Sequence, residues 1–470
     1  MDEAAEDDQQ SSLEEKEVEN AESSIPESPS SFDLLPKLSP YLDLHMVFPL
    51  ISYAEGLRTV YKNEDLLRAK MELLEYTNMV DYEIEQWTSN NSEPPPPQMT
   101  ERRQAVVEAM KSLTAGAQPL LTVVNDATLL AELKESKSFN IAYLEVNHGV
   151  TPAVLDNFFA YGKFQFECGN YEKAQSIMAL YRELDHEERS ERAFDALWGK
   201  LASEILMIVA QWEESTASAA LADLGELEKI LDAREDDQLH PPNLLEQLQF
   251  RSWMLHWSLF VFFHQSDGRS RIVDFFMGSK ERPRPRHRNV IETLCPWLFR
   301  YVVAALIANK NRSNMQLRDL AQLVAQERYE YSDPITELLE CLQLNFDFER
   351  ALSILARCER VLTIDYFLAG LRKDFVDNAR TMIFETQCRL NSKINIDVVC
   401  SKLQMSSDEA EKWIVDLVRN AKLDAKIDLE SNSVVMGASQ VLVWEGVSDK
   451  VKDLVFRTGK LVESIKKQSY

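Results

Sequence analysis

From about residue 36 to residue 391 the apolar positions recur at three- and four-residue intervals, the mark of helices that each bury one face. Leu66, Leu67, Met71 and Leu74 share such a face in "NEDLLRAKMELLEYT" (63–77). The same spacing runs through "ALWGKLASEILM" (196–207), "LLEQLQFRSWMLHWSLFVFF" (244–263), "TLCPWLFRYVVAALIAN" (293–309) and "DPITELLECLQL" (333–344). Helix after helix with no strand between predicts a stacked helical array, an α-solenoid. At residue 392 the period changes. "SKINI" (392–396) reads as a short strand, and "DVVCSKLQM" (397–405) as a short helix. Ser406 with Glu409 forms a capping box for a helix that buries Ala410, Trp413, Ile414, Leu417, Val418 and Ala421. In "KLDAKIDLE" (422–430) Leu423, Ala425, Ile427 and Leu429 alternate with charges, and a turn at 431–433 leads to the return strand "VVM". Helix, helix and hairpin make a winged helix over 375–440. In 441–470, Val447, Val451, Leu454, Thr458, Leu461 and Ile465 follow at alternating intervals of four and three, with Val455 and Val462 widening the seam. That is a helix with a heptad stripe, suited either to folding back or to joining a bundle.

"NFFAYGKFQFECGNYEKAQSIM" (157–178) resembles a tetratricopeptide-type helical hairpin. Gly162 stands where two helices approach, Gly169 and Asn170 form the turn, and Tyr171 and Ala174 pack the second helix on the first. Gln165 replaces the usual aromatic, with Phe164 and Phe166 beside it. "NYEKA" (170–174) has an echo in "DFERA" (347–351). The fold class is therefore mainly α: a solenoid of tetratricopeptide- or HEAT-like hairpins, then a winged helix and a bundle helix. The expected units are a disordered acidic extension (1–35), N-terminal helices (36–88), a polyproline spacer (89–98), the array (99–374), the winged helix (375–440) and the bundle helix (441–470).

Charge decides how the winged helix is used. The net charge is −26, and residues 1–35 carry 12 Asp/Glu against one Lys. The helix a winged-helix reader would insert into DNA holds Asp408, Glu409, Glu411 and Asp416 against Lys412 and Arg419. Carboxylates there suit the helix dipole but repel a duplex. Assembly with protein is the better reading, through the hairpin residues Lys422, Asp424, Lys426, Asp428, Val434 and Val435, where an edge strand could extend a neighbour's sheet. The stripe residues Val447, Val451, Leu454, Leu461 and Ile465 serve the same end.

One patch has the opposite sign. "SKERPRPRHR" (279–288) holds Lys280, Arg282, Arg284, Arg286 and Arg288 against Glu281. Its alternating prolines are expected to keep it extended. It is either a solvated loop or a clamp for RNA phosphates. No phosphate loop, dinucleotide fingerprint, zinc motif or nucleophile elbow occurs, so neither an enzyme, a cofactor nor a small-molecule substrate is expected. The six cysteines form no C-x-x-C pair, the start is polar and acidic, and the most apolar run (253–264) is too short to span a bilayer. A cytoplasmic protein without a membrane is expected, with nuclear entry left open.

Array, acidic winged helix and terminal helix together resemble PCI proteins, the scaffold subunits of the proteasome lid, the COP9 signalosome and eukaryotic translation initiation factor three. The blocks "MVFPL" (46–50), "TNMVDY" (77–82), "YGKFQFECGNY" (161–171), "LWGKLASEILM" (197–207), "HWSLFVFF" (256–263), "DPITELLECL" (333–342), "NFDF" (345–348) and "LDAKID" (423–428) resemble the e-type PCI scaffold family of that initiation factor. The resemblance covers roughly residues 40–440. It implies a non-catalytic scaffold that supports small-ribosomal-subunit binding and mRNA recruitment, with a winged helix paired edge to edge with neighbouring PCI subunits and a C-terminal helix in a shared bundle. The acidic extension, the polyproline spacer, "IVAQWEESTAS" (208–218), the basic segment and the C-terminal tail depart from it. The alternative is the same fold serving the proteasome lid or signalosome. A nucleic-acid regulator built on the winged helix is the rival of another class.

Overall fold

A computed structural model describes residues 32–57, 60–90, 94–136, 138–184, 191–236, 243–265, 267–278, 284–309, 314–391, 393–395, 425–428, 433–436 and 440–468. The helices are α1 (Leu35–Leu38), α2 (Leu44–Leu57), α3 (Asn63–Glu75), α4 (Val80–Asn90), α5 (Pro97–Asn125), α6 (Ala127–Glu135), α7 (Ile141–His148), α8 (Pro152–Glu167), α9 (Tyr171–Leu184) and α10 (Glu191–Ala210). The chain continues through α11 (Glu214–Glu235), α12 (Leu244–Phe263), α13 (Gly268–Met277), α14 (Pro285–Leu294), α15 (Phe299–Ala308), α16 (Asn314–Gln326), α17 (Pro334–Glu340), α18 (Phe348–Ile364) and α19 (Arg372–Leu390). Strands β1 (Lys393–Asn395), β2 (Ala425–Asp428) and β3 (Ser433–Met436) precede α20 (Gln440–Gln468).

The α8–α9 hairpin forms for the reasons its sequence gives. A Cβ on Gly162 would lie 2.7 Å from Ile177 Cγ2 of α9, so only glycine admits this approach. Gly169 takes φ +85° at the turn. Gln165, in the usual aromatic's place, is buried, and its Oε1 accepts a hydrogen bond from Asn170 Nδ2 at 2.8 Å. A polar side chain here fastens the turn instead of filling space. From α8 to α12 each helix packs on the next, and α13 to α19 continue the stack. The main core draws its buried residues from 34–50 and from 194–383, and a satellite core holds α5 to α9 together.

Residues 32–57 cross this array like a strap. Leu34, Leu38, Met46 and Leu50 enter the main core. Tyr41 stacks on His256 at 4.4 Å, and its carbonyl accepts from Trp257 Nε1 at 3.1 Å. His45 Nδ1 lies 3.0 Å from the Tyr171 hydroxyl, while the Tyr53 hydroxyl donates to the Thr363 carbonyl at 2.8 Å. The strap therefore touches both the α8–α9 hairpin and α18. Burial pushes His45 and His256 down to about 4, so both rings are neutral at physiological pH.

A buried polar knot closes the C-terminal end of the array. Arg300, 1% exposed, donates to Asp333 Oδ2 at 2.6 Å and to Asp365 Oδ2 at 3.3 Å. The Tyr331 and Tyr301 hydroxyls donate to the same two oxygens at 3.1 and 3.0 Å. Asp333 also caps α17 through a reciprocal box with Thr336. The knot thus joins α15, the start of α17 and the turn that leads into α19.

The expected strands at 392–396, 422–430 and 434–436 appear as β1, β2 and β3. The two helices expected between β1 and β2 lie outside the described residues.

Candidate assembly surfaces

The three strands form one antiparallel sheet in the order β1-β3-β2. Ile394 and Ile427 both oppose Val434, so β3 is the middle strand. Val434 and Val435 therefore lie inside the sheet, and the pairing edge expected at either hairpin strand cannot be β3. Among the described residues the outer edges are β1 and β2, and β2 carries Lys426 and Asp428. Lys422 and Asp424 lie outside the described residues.

The stripe on α20 faces solvent. Val447, Val451, Leu454, Val455, Leu461 and Val462 are 45–66% exposed. At 100° per residue they span an arc of about 120°, wide enough for a bundle contact. Phe456 lies on the opposite side, under the Lys460 ammonium at 4.5 Å. Ile465 continues the helix, with its side chain outside the described set. The helix holds six Lys/Arg against four Asp/Glu, a positive segment in an acidic chain.

The basic segment is only partly a free positive patch. Lys280 and Arg282 lie outside the described residues. A helix starts at Pro285, so the expected extended conformation ends there; the first helical position lacks an intrahelical N–H partner anyway, and proline fits it. Arg284 pairs with Glu228 and stacks over Phe275 at 4.9 Å. Arg286 meets Asp232 at 3.0 Å and Glu235 at 3.4 Å, and also pairs with Asp236. Arg251, 2% exposed, shares Asp232 and Glu235. Burial opposes ionisation of Asp232, but hydrogen bonds from Arg251 and Arg286 hold its carboxyl below the usual range. Arg288 pairs along its own helix with Glu292 at 2.6 Å and remains half-exposed. Arg284 and Arg286 thus tie α14 to α11. Sequence reading missed this because the acids lie some fifty residues upstream.

Comparison with known proteins follows this division of the chain. The family model "eIF3 subunit 6 N terminal domain" matches residues 33–165, and the model "PCI domain" matches residues 355–438. A curated protein of Arabidopsis thaliana, named as the E subunit of eukaryotic translation initiation factor 3, is 39% identical over 451 residues, covering 93% of this chain and 97% of the relative. The proteins of that name from Aspergillus fumigatus and Aspergillus niger are each 37% identical over 446 residues, covering 93% of this chain and 94% of the relative. The chain belongs to the E subunit family of eukaryotic translation initiation factor 3. Near-full-length relatives with that name decide against a proteasome-lid or signalosome subunit. A PCI module on a helical array is also the frame of a non-catalytic scaffold. Family membership places the strap at the start of the first matched region, which begins at residue 33. The second matched region ends before α20, so the exposed stripe lies outside it. Among the described residues no single helix is long and apolar enough to cross a membrane, and no His, Cys, Asp and Glu cluster could hold a metal ion.

Proposed function

We propose that this subunit holds initiation factor 3 together at two surfaces. The outer edge of β2, at Ala425–Asp428, adds to the sheet of a neighbouring PCI subunit. The α20 stripe enters a bundle with helices of other subunits. The exposed stripe is the observation that carries this reading. Burying the remaining half of six Val and Leu side chains contributes roughly 6 kcal/mol, at about 1 kcal/mol each. Association costs about 4–15 kcal/mol, so one stripe needs matching stripes from partner helices. A multi-helix bundle supplies them.

In the cytoplasm the assembled factor supports small-ribosomal-subunit binding and mRNA recruitment. Direct RNA contact by this chain falls to Lys280, Arg282 and the half-exposed Arg288, since Arg284 and Arg286 are engaged inside the array. The test is reconstitution with the other subunits, using Leu454→Asp with Leu461→Asp, and separately Lys426→Pro. The stripe variant is expected to keep the Tm of the isolated chain and lose at least about tenfold in affinity for the subcomplex. Wild-type affinity in both variants would remove the proposal.

A further inference from the structure

Residues 32–57 lie on the array but are not woven into it. Among the described residues, no backbone-to-backbone hydrogen bond joins this strap to the array. Side chains make the links: Trp257 to the Tyr41 carbonyl, His45 to Tyr171, and Tyr53 to the Thr363 carbonyl. The strap's own elements are short. α1 has four residues, the turn of 3-10 helix at Ser39–Tyr41 has three, and α2 has 14 with Pro49 inside it. Helices of this length are marginal in water, so the surface beneath the strap is what keeps it folded.

That surface includes the polar knot. A cavity between strap and array has Leu34, Leu38 and Tyr53 on one wall and Arg300, Tyr301 and Asp365 on the other. Lys37 stands over the rings of Trp297 and Tyr331, at 5.8 and 5.4 Å. Burial, and then the Asp365 charge, push the Tyr53 phenol up, so the strap lies within electrostatic reach of the knot. Closing the strap has two opposed effects. It buries Leu34, Leu38 and Leu50, which stabilises the closed state. It also keeps water from Arg300, Asp333 and Asp365, two carboxylates for one guanidinium, and burying ions is costly even when they are paired. The cavity forfeits dispersion contacts at the same boundary. An apolar cover over an ionic floor is held less firmly than its buried leucines alone would hold it.

We infer that residues 32–57 form a lid over the Arg300–Asp333–Asp365 knot, which opens while the array stays folded. Closed, the lid ties α9 to α18, whereas a repeat array by itself holds each helix mainly to its neighbours. Open, it hydrates the knot and frees α9 and α18 to move relative to one another. The inference concerns the chain by itself and stands apart from the assembly surfaces proposed above.

The test is hydrogen exchange of the isolated full chain, read by mass spectrometry at one pH. Met46–Ile51 of the strap is compared with Leu255–Phe260 of α12 in the same sample, both helical and largely buried. A lid that opens by itself exposes the strap amides without unfolding α12, so they should exchange at least about tenfold faster. Equal rates would mean that the strap leaves only when the whole array unfolds, and would overturn the inference. Tyr53→Phe removes the bond to Thr363 and keeps the ring; it should speed strap exchange at least about threefold and leave α12 unchanged. The same acceleration in both stretches would contradict a separate lid. Asp365→Asn removes one of the two buried carboxylate charges, so the lid should open less often and strap exchange should slow at least about threefold. Strap exchange that is unchanged or faster in that variant would show that the knot does not favour opening, and the inference would fall.

Discussion

Replacing Arg300 by Met should destabilise the array by about 3–5 kcal/mol, the cost of stranding buried partners of a charge. The figure follows from the geometry. Arg300 and Asp333 are each 1% exposed at the side chain, and Asp365 is 5% exposed. Removing the guanidinium leaves two carboxylates in the interior with only Tyr331 and Tyr301 donating to the oxygens it served. For roughly 400 cooperatively ordered residues the unfolding entropy is about 0.8 kcal/mol/K, so Tm should fall by about 5 °C. Arg300→Lys should recover only part of this, since a single ammonium cannot match the two directions of the fork. Adding Asp365→Asn to Arg300→Met should restore stability relative to the single change, because one stranded charge disappears. The assay is thermal unfolding of the isolated chain followed by circular dichroism, with the double-mutant cycle at one pH. A shift below about 1 °C for Arg300→Met would refute the reasoning, because it would mean that the knot is hydrated or already unpaired.

Other expectations bear on separate features. Glu204 is buried with Oε2 lacking a hydrogen-bond partner, and burial with the nearby Asp223 charge raises it to about 7. Its folded value exceeds its unfolded one near 4.5, so the stability it contributes is full below pH 4.5 and is lost as pH rises through 7. Glu204→Gln should flatten the pH dependence of Tm and gain about 3 kcal/mol at about pH 8; an unchanged slope would count against a buried proton. Gly162→Val should cost about 2–3 kcal/mol by forcing α8 from α9, whereas Gly225→Ala, where a Cβ meets nothing within 4 Å, should gain about 0.5–1 kcal/mol; chemical denaturation that finds both changes equal would contradict the packing argument. Serine at Lys280, Arg282 and Arg288 should lower ribosome association and flatten its salt dependence without altering subunit assembly, and unchanged association across salt concentrations would remove the RNA contact.

How much was legible in the sequence depended on how local the signal was. Gly162, the Gly169–Asn170 turn and the alternation of 422–430 each act over a few residues, and the hairpins they predict are present. The stripe on α20 was legible as a pattern, but only the structure shows its described side chains open to solvent. Long-range pairing was not legible. The strap looked like separate N-terminal helices because its partners, Tyr171, Trp257 and Thr363, lie more than a hundred residues away. Arg284 and Arg286 read as a free positive patch because no period links them to Glu228 and Asp232. The order of three strands cannot be read from a hairpin alone, so the central place of β3 was hidden until β1 was seen to pair with it.

The most direct test of the scaffold account is affinity purification of the tagged full chain from cell extract, followed by mass spectrometry and sedimentation. The account predicts that the other initiation factor 3 subunits co-purify and that the assembly sediments with small ribosomal subunits. A chain that sediments alone, or that brings down proteasome-lid or signalosome subunits instead, would contradict it.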